Sequence, residues 1–418
     1  MRVVVCVKQT AAGELNPFDA CAYEAALQIR GAEVILLSMG PERTKELLSD
    51  LTRLGARQAY LLCDRAFAGA DTLATAYVLS LAVKRLAPDL VICGRQTIDG
   101  DTGQTGPSLA MTAGLSLITN VMEIRRTEGH LICLTRSRGE QTVELPALIT
   151  VEKINHLRLP SIRSKRGDVI LWDAKELGAD ITKCGLNGSP TKVLASYRNE
   201  EGKRRCKFVD GSMLETLIVD GIQKEKERIH AVGKGMQKQS LMSAEVAVNQ
   251  PGSKLGKVWI VGEKCRQMAE TVSDDITVID RADAENMGEQ FVKWLVTRVR
   301  EELPEVILWD SDPWSKQTAP QVAALLQTGL CADCTALETD GSQLFMYRPA
   351  FSGNVIAKIA CVARPQMATI RTLAEGTADV ICTVGKGARA SQSLIENFVE
   401  RKNREGSMAI LYTRRIAI

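Results

Sequence analysis

Short runs of apolar, often β-branched residues alternate with longer amphipathic segments through the first hundred positions. Runs of the first kind are typical of buried strands, and segments of the second kind are typical of helices. The predicted strands are Val3–Val7, Val34–Ser38, Ala59–Leu62 and Leu90–Cys93, and the predicted helices are Asp19–Arg30, Glu42–Leu54 and Thr72–Leu86. This alternation predicts βαβ units and a doubly wound, mostly parallel sheet covered on both faces.

The same pattern of segments occurs a second time along the chain. The matching starts are Pro88 (PDLVIC) with Pro304 (PEVILW), Gln104 (QTGP) with Gln317 (QTAP), Gly114 with Gly329, and Pro146 (PALITV) with Pro365 (PQMATI). Because the offset stays between 213 and 219 residues, we expect the same fold twice. The copies are not equivalent, since only the first carries a glycine-rich loop.

Residues 155–254, between the two copies, have a different character. They begin with a basic, irregular run (HLRLPSIRSKRGD) and end in a polar segment rich in Gly, Ser, Gln and Pro. Such a segment is typical of a flexible linker.

Composition narrows the possible functions. With 45% hydrophobic and 25% charged residues, the chain has the composition of an ordinary globular protein. Its formal net charge of +3 is too small to favour binding to nucleic acid or to an anionic membrane surface. The 3 histidines have no metal-ligand spacing. The 12 cysteines fall mostly in apolar runs, which indicates a reducing compartment. No apolar run approaches the ~18–20 residues of a membrane span, so we expect a cytoplasmic protein.

The segment from Gly94 to Pro107 carries the strongest chemical signal. A buried strand leads into a loop with glycines at positions 94, 100, 103 and 106, and Pro107 suits the first turn of a helix. Main-chain N–H groups and a helix N-terminus favour a phosphate, and Thr102, Gln104 and Thr105 offer further hydrogen bonds. There is neither a Walker lysine nor a G-x-G-x-x-G string. The alternative interpretation is a plain strand-to-helix turn.

Other strand and helix ends are open to two interpretations. Asp19, after Asn16, Pro17 and Phe18, is either a helix N-cap or part of a ligand site. Asp71 with Thr72 has the same ambiguity. Met39 follows a predicted strand, at the sheet edge where ligands of open α/β sheets bind.

These strings carry a resemblance to a known family. The sequences VCVKQT, NPFDACAYEAAL, SMGPE and above all CGRQTIDGDTGQTGP resemble the β subunit of electron transfer flavoprotein, up to about residue 230. From about Lys257, GLCADCTALE, YRPAFSGNVIAKIAC and RPQMATIRT are similar to the N-terminal domain of the α subunit. The resemblance implies a β-type unit fused to an α-type domain, and it explains the repeat, because the two subunits of that family are pseudo-symmetric relatives.

The resemblance implies AMP, or FAD in electron-bifurcating members, at the glycine-rich loop. The residues carried over are Cys6, Asn16, Pro17, Phe18, Asp19, Met39, Gln96, Thr97, Ile98, Asp99, Gly100, Asp101, Thr102, Gly103, Gln104, Thr105 and Gly106. The segment from Lys8 to Asn16 is shorter than is usual in the family, so we expect it to cover less of this side of the nucleotide.

The resemblance also implies a loop that recognises an acyl-CoA dehydrogenase-like flavoenzyme. The matching stretch is Asn155–Ile162, with Leu157, Leu159 and Ile162 as candidate anchors. The alternative is that these residues are buried against the chain's own core. Cys331 and Cys334 are expected to be structural, because there is no second pair. Arg348–Phe351 is expected near the junction of domains where flavins lie.

The last segment departs from the family. Residues 378–389 match only the opening of the flavin-binding domain, so the main FAD is expected to need a flavin domain supplied elsewhere. The predicted domains are 1–235, a linker at 236–256, 257–376, and an incomplete βαβ remnant at 377–418. We therefore expect two doubly wound α/β domains and an electron carrier relaying electrons through flavin, with no catalytic residue and no metal.

Two other functions compete with the electron carrier. A nucleotide-dependent enzyme of the ATP-pyrophosphatase-like class would require an S-G-G-x-D-S loop, which VKQTAAG does not supply. A non-catalytic nucleotide-binding partner, or a truncated fragment that needs a separate flavin domain, remains open.

Overall fold

The computed structural model describes residues 1–127, 129–198, 254–288, 290–351 and 353–371, with the backbone of 208–209 and 383–384. The chain divides into two compact units, Met1–Asn199 with Asn249–Thr372 and Glu200–Val248 with Leu373–Ile418. Within the first unit we call residues 1–198 the N-terminal lobe and residues 254–371 the C-terminal lobe. Apart from the backbone of 383–384, the predicted remnant at 377–418 lies outside the described residues, as does most of the predicted linker.

The described elements alternate as the sequence predicts. The strands are β1 (Arg2–Cys6), β2 (Glu33–Met39), β3 (Gln58–Leu62), β4 (Leu90–Gly94), β5 (Ser116–Arg126), β6 (His130–Thr135), β7 (Gly139–Glu144), β8 (Ala147–Val151), β9 (Val169–Trp172), β10 (Thr191–Arg198), β11 (Phe208–Val209), β12 (Val258–Val261), β13 (Ile276–Ile279), β14 (Val306–Asp310), β15 (Leu330–Cys334), β16 (Ala336–Thr339), β17 (Leu344–Ala350), β18 (Val355–Cys361), β19 (Gln366–Ile370) and β20 (Thr383–Val384). The α-helices are α1 (Pro17–Gln28), α2 (Thr44–Thr52), α3 (Thr72–Leu86), α4 (Thr105–Ala113), α5 (Ala174–Leu177), α6 (Arg266–Glu270), α7 (Arg281–Asn286), α8 (Gln290–Glu302) and α9 (Pro313–Leu326).

The N-terminal lobe is built on a nine-stranded sheet in the order β7-β6-β5-β8-β4-β1-β2-β3-β9. In this order, every neighbouring pair between β5 and the edge strand β9 is parallel. At the opposite edge, β6 and β7 are added as antiparallel strands. The strands and helices predicted for the first hundred residues end within two residues of their observed ends. The basic run at residues 156–168 contains no helix or strand, as predicted, and β9 directly after it adds a parallel strand beside β3 that was not predicted.

The C-terminal lobe repeats this arrangement. Its five parallel strands lie in the order β13-β12-β14-β19-β15, which matches β2-β1-β4-β8-β5 of the N-terminal lobe. The repeated fold and the doubly wound α/β class are therefore confirmed. Peptide bonds before Pro146 and Pro365, the matching prolines of the two copies, are both cis.

A four-stranded antiparallel sheet, in the order β10-β18-β17-β16, was not predicted. Its first strand comes from the end of the N-terminal lobe and pairs with β18 of the C-terminal lobe. Most residues of β10 are exposed, so its sequence lacks the apolar alternation that marks a strand half-buried in a core.

Alternate residues of the central strands enter different cores, as the strand period of two requires. Val3 and Val5 of β1 pack in one core, and Val4 packs in the core on the opposite face. The lobes meet where α4 contacts α9. At this contact the Ser108 hydroxyl donates to the Pro320 carbonyl at 3.4 Å. Among the described helices none has the length and apolar character to cross a membrane.

Candidate functional site

A cavity of about 740 Å³ opens at the carboxyl ends of β1 to β4. This is the sheet edge at which open α/β folds bind ligands. Its volume lies in the range of about 300–1,000 Å³ found for small-molecule sites. The C-terminal lobe closes part of it with Leu330, Cys331, Ala332, Arg348 and Ile359.

Most residues of the predicted site line this cavity. They are Cys6, Asp19, Met39, Gln96, Thr97, Gly100, Thr102, Gly103, Thr105 and Gly106. The other predicted residues do not line it, and they are Asn16, Pro17, Phe18, Ile98, Asp99, Asp101 and Gln104. Of these, Asn16, Asp99 and Asp101 make hydrogen bonds that hold the glycine-rich loop in place.

Asn16 is a support of the loop. It is fully buried, and its Nδ2 donates to the Gln96 carbonyl at 2.9 Å. Its Oδ1 accepts from the Ile98 amide at 3.3 Å. Pro17 is the first residue of α1, a position at which a backbone N–H would have no partner within the helix. Asn16 thereby ties the loop after β4 to the start of α1.

The two aspartates of the loop also make internal contacts. The Asp99 carboxylate accepts from the Ala11 amide at 3.1 Å and lies 3.6 Å from the Lys8 ammonium. Gln96 donates from Nε2 to Asp101 at 2.6 Å. Asp101 has a φ of 52°, and burial raises the pKa of its carboxyl. The loop is therefore held by a hydrogen bond within itself and by contacts with the segment after β1.

Asp19 is a buried carboxyl at the cavity wall. The interpretation of Asp19 as a helix N-cap is wrong, because α1 begins two residues earlier, at Pro17. Its carboxylate instead accepts from the Lys8 amide at 2.8 Å, which links α1 to the end of β1. Burial raises its pKa to about 7, although contacts with Asn16, Lys8 and the Gly94 amide oppose the rise.

Gly94 and Gly103 are required for different reasons. A Cβ at Gly94 would lie 2.3 Å from the Asp19 carboxylate, so only glycine allows this carboxylate so close to β4. Gly103 has a φ of +65° and only one atom within 4 Å of an added Cβ, at 3.5 Å. Glycine at 103 thus serves the backbone conformation and leaves the main chain open to the cavity.

Arg95 and Arg348 are two of the positively charged side chains of the cavity wall, which Lys8 and Arg65 also line. Arg95 lines it, pairs with the buried Glu152 at 3.1 Å and lies 5.2 Å from the Phe18 ring. Arg348 lines it from the C-terminal lobe and donates to the Asp101 carbonyl at 3.1 Å. The buried Nε atoms of both arginines have no hydrogen-bond partner within the described part of the chain.

These features fit an anionic nucleotide. The first-turn amides of α4 lack intrahelical partners and carry partial positive charge, and Thr105 and Gly106 of that turn line the cavity. Met39, Phe67 and Leu79 give another part of the wall an apolar surface suited to a base. Gln104 is buried toward the C-terminal lobe beside Thr328 and Gly329, and its Nε2 is unpaired among the described residues.

Asp71 is an N-cap, as one of its two interpretations proposed. Its Oδ1 accepts from the Ala74 amide at 3.1 Å, and its Oδ2 accepts from the Thr191 amide at 3.1 Å. Asp71 and Thr72 also line the cavity. The carboxylate is therefore already engaged by the protein.

Sequence reasoning did not commit to several lining residues. They are Lys8, Gly40, Pro41, Cys63, Asp64, Arg65, Phe67, Ala68, Gly69, Ala70, Arg95 and the contributors from the C-terminal lobe. The residues after β3 follow a parallel strand, and this position is the signal that identifies them. Arg348 had been assigned only to the neighbourhood of a domain junction.

The loop after Asn155 separates its three candidate anchors. Leu157 is half-buried and packs against the N-terminal core, whereas Leu159 is 89% exposed and Ile162 is 99% exposed. The Arg158 side chain binds the Glu24 carboxylate at 2.8 Å and fixes the start of the loop. Two apolar side chains are thus free for a partner.

The two cysteines that are expected to be structural, Cys331 and Cys334, are buried. Cys331 is 2% exposed and Cys334 is 0% exposed, in a strand of the C-terminal core. No group of three or more metal-binding side chains is found in the portion of the chain that the structure covers.

Comparison with known proteins identifies the family. The model of the electron transfer flavoprotein domain matches residues 3–177 and 247–387. Protein FixA of Azorhizobium caulinodans is 38% identical over 261 residues, which are 53% of this chain and 92% of that protein. Electron transfer flavoprotein subunit beta of Megasphaera elsdenii is 39% identical over 232 residues, 46% of this chain and 86% of the relative.

A third relative is the caffeyl-CoA reductase-Etf complex subunit CarD of Acetobacterium woodii. It is 34% identical over 260 residues, which are 54% of this chain and 99% of the relative. The domain match covers both lobes, and the relatives match over about half of this chain and most of their own lengths. This chain therefore belongs to the electron transfer flavoprotein family.

Proposed function

We propose that the chain is an electron carrier that combines a β-type unit with an α-type N-terminal domain. The equal strand order in the two lobes supports this, as does the family match over two separate regions. The boundaries 1–235, 236–256, 257–376 and 377–418 remain part of this proposal. The cofactor supplies the electron chemistry when it is bound, and the protein supplies binding, orientation and electrostatics.

The cavity at β1 to β4 is proposed to bind AMP or the adenine half of FAD. The observation that carries this is the meeting of the α4 N-terminus with Arg95 and Arg348 around one 740 Å³ space. The phosphate would lie against the amides of Thr105 and Gly106, where the helix dipole favours negative charge. Gln96, Thr97 and Thr102 supply polar contacts around it, and Met39 and Cys6 face the less polar part.

Calorimetric titration with AMP tests this assignment. The protein is first stripped of bound nucleotide, and Gly103→Val is compared with wild type. A β-branched side chain at φ +65° both strains the backbone and blocks the main chain from a phosphate. We expect the AMP affinity to fall by at least about a hundredfold, the loss of about 2.7 kcal/mol.

Gly139→Val is the matched control. Gly139 has a φ of +68° with no atom within 4 Å of an added Cβ, and it lies in the β6–β7 hairpin away from the cavity. It carries a similar backbone strain without the proposed contact. Equal AMP affinity for wild type and Gly103→Val, or equal loss in both variants, would contradict the assignment.

Leu159 and Ile162 are proposed to anchor an acyl-CoA dehydrogenase-like flavoenzyme. Both side chains are almost fully exposed beside a loop start that Arg158 and Glu24 fix in place. Exposed apolar side chains on a held loop are suited to a pocket in a partner. The third candidate, Leu157, is proposed to contribute by supporting the loop from the core side.

Electron transfer from a reduced acyl-CoA dehydrogenase gives the test. Leu159→Asp and Ile162→Asp should weaken the complex by about 2 kcal/mol or more, because a charge is placed in an apolar pocket. Val362→Asp, at a site 68% exposed in the C-terminal lobe, is the control for an added surface charge. If all three variants accept electrons equally well, this docking surface is wrong.

We propose that the cavity is the one flavin site of the described residues when FAD rather than AMP is bound. Flavin stoichiometry after purification with added FAD tests this. About one flavin per chain supports FAD in the cavity, and none with one AMP supports a nucleotide-binding partner that lacks redox chemistry. Two tightly bound flavins per chain would contradict the proposal.

A further inference from the structure

Two thiols of the N-terminal lobe lie side by side at the cavity. Cys6, the last residue of β1, is the register partner of Cys93 in the parallel strand β4. Both side chains belong to the same face of the sheet, because both pack with the core that contains Val4 and Val91. Both cysteines are free thiols.

The spacing of the strands suits a covalent bond between them. Neighbouring strands lie about 4.8 Å apart. A disulfide requires Cα atoms about 4.4–6.8 Å apart and side chains on the same side. The neighbouring Cys6 thiol together with burial raises the pKa of Cys93.

The cavity gives these thiols access to small molecules. Cys6 is half-buried and Cys93 is 5% exposed, and both line the cavity. Cys133, in the same lobe, is fully buried and does not line it. Cys63, also half-buried, and the buried Cys331 line the cavity too, but Cys6 is the thiol that has Cys93 as its strand partner.

We propose that Cys6 and Cys93 form a reversible disulfide when a two-electron oxidant such as hydrogen peroxide enters the cavity. The Cys6 thiolate attacks the peroxide, the O–O bond breaks, and Cys6 becomes a sulfenic acid. The hydroxide that leaves takes up the proton that the Cys6 thiol lost and becomes water. The Cys93 sulfur then attacks the Cys6 sulfur, the S–O bond breaks, and a second water leaves with the Cys93 proton. The two sulfurs together lose two electrons, which the peroxide accepts.

The rate of this oxidation should depend on occupancy of the cavity. This part rests on the proposed function, since a nucleotide beside Cys6 and Met39 would cover the entry to both thiols. At an AMP concentration about ten times its Kd, only about one-eleventh of the chains are free. We therefore expect oxidation to be about tenfold slower with AMP than without it.

Peptide mapping of the full chain tests the disulfide directly. The reduced protein is treated with hydrogen peroxide, blocked with N-ethylmaleimide and digested without reductant. We expect the peptide with Cys6 to be linked to the peptide with Cys93, and dithiothreitol to reverse the link. Cys6→Ser and Cys93→Ser should each lose it, whereas Cys133→Ala should keep it.

The outcomes are distinct for the two proposals. Without AMP, a link from Cys6 to any other cysteine, over-oxidation of Cys6 with no link, or two thiols that remain free would overturn the disulfide. If calorimetry detects no AMP binding, the proposed nucleotide site fails while the map without AMP still decides the disulfide. If AMP binds and the oxidation rate is unchanged, the shielding is wrong.

Discussion

Arg348 of the C-terminal lobe donates from its guanidinium to the main-chain oxygen of Asp101 at 3.1 Å. Asp101 lies in the glycine-rich loop of the N-terminal lobe, so one lobe holds the loop of the other. Arg348 is 6% exposed and also lines the cavity. The geometry of the loop therefore depends on the attachment of the two lobes.

Arg348→Ala should weaken both the loop and the nucleotide site. It removes a buried hydrogen bond to a carbonyl, which we expect to lower the free energy of unfolding by about 1–3 kcal/mol. It also removes a cation from the cavity, and we expect the AMP affinity to fall at least about tenfold. Urea unfolding and calorimetry measure the two effects. Arg364→Ala, at an exposed arginine of the same lobe, should leave the AMP affinity unchanged.

Glu152→Gln should destabilise the fold through Arg95. Glu152 is 4% exposed, and its carboxylate lies 3.1 Å from Arg95 and 3.6 Å from Arg136. Without the charge, Arg95 keeps a partly buried cation that lacks its main anion, and we expect a loss of about 2 kcal/mol. Thermal unfolding checks this. Glu140→Gln, at an exposed glutamate of β7, is the control, and an equal change in both variants would refute the role of Glu152.

Asp19 should make stability depend on pH. Its pKa is raised from 3.8 to about 7, so between these values the folded chain holds a proton that the unfolded chain releases. The free energy of unfolding should therefore fall as pH rises from about 4 to 7. The slope should correspond to the release of up to one proton per chain on unfolding. Urea unfolding at several pH values measures this slope. Asp19→Asn removes the titrating group and should flatten the profile by that amount, and an unchanged slope in this variant would contradict the assignment.

In the loop after Asn155, we expect substitution of Leu157 to lower the stability of the fold much more than substitution of Leu159. Leu157→Ala removes a half-buried side chain from the core and should cost about 1–2 kcal/mol. Leu159→Ala should change stability by less than about 0.5 kcal/mol, because its side chain is 89% exposed. Chemical unfolding of the two variants measures this contrast. A large loss in Leu159→Ala would mean that this leucine belongs to the core.

The parallel architecture could be predicted from the sequence because its strands are short apolar runs and its helices are amphipathic. The α3 ends match the predicted ends, where Asp71 caps the helix. The antiparallel sheet was missed because β10 is mostly exposed and pairs with β18, a strand more than 150 positions away. Pairing between distant segments leaves no local pattern.

The candidate site could be predicted as a loop but not as a cavity. The glycines and Met39 are marked by their place after strands, whereas the contribution of Arg348 depends on how the lobes attach.

The structure also explains why the copies differ. Asp310 occupies the position of Gly94 in the repeat, and its carboxylate lies 2.1 Å from where a Cβ of Gly262 would be. It accepts from the Cys265 amide at 2.9 Å, so a carboxylate of the chain itself fills this part of the second copy.

The nucleotide content of the purified wild-type chain tests the central claim most directly. The protein is denatured after extensive dialysis, and the released small molecules are separated by chromatography and identified by mass spectrometry. The account predicts about one adenine nucleotide per chain, as AMP or FAD, and a marked loss of it in Gly103→Val but not in Gly139→Val. A wild-type chain that releases no adenine nucleotide and binds neither AMP nor FAD when these are added back would contradict it.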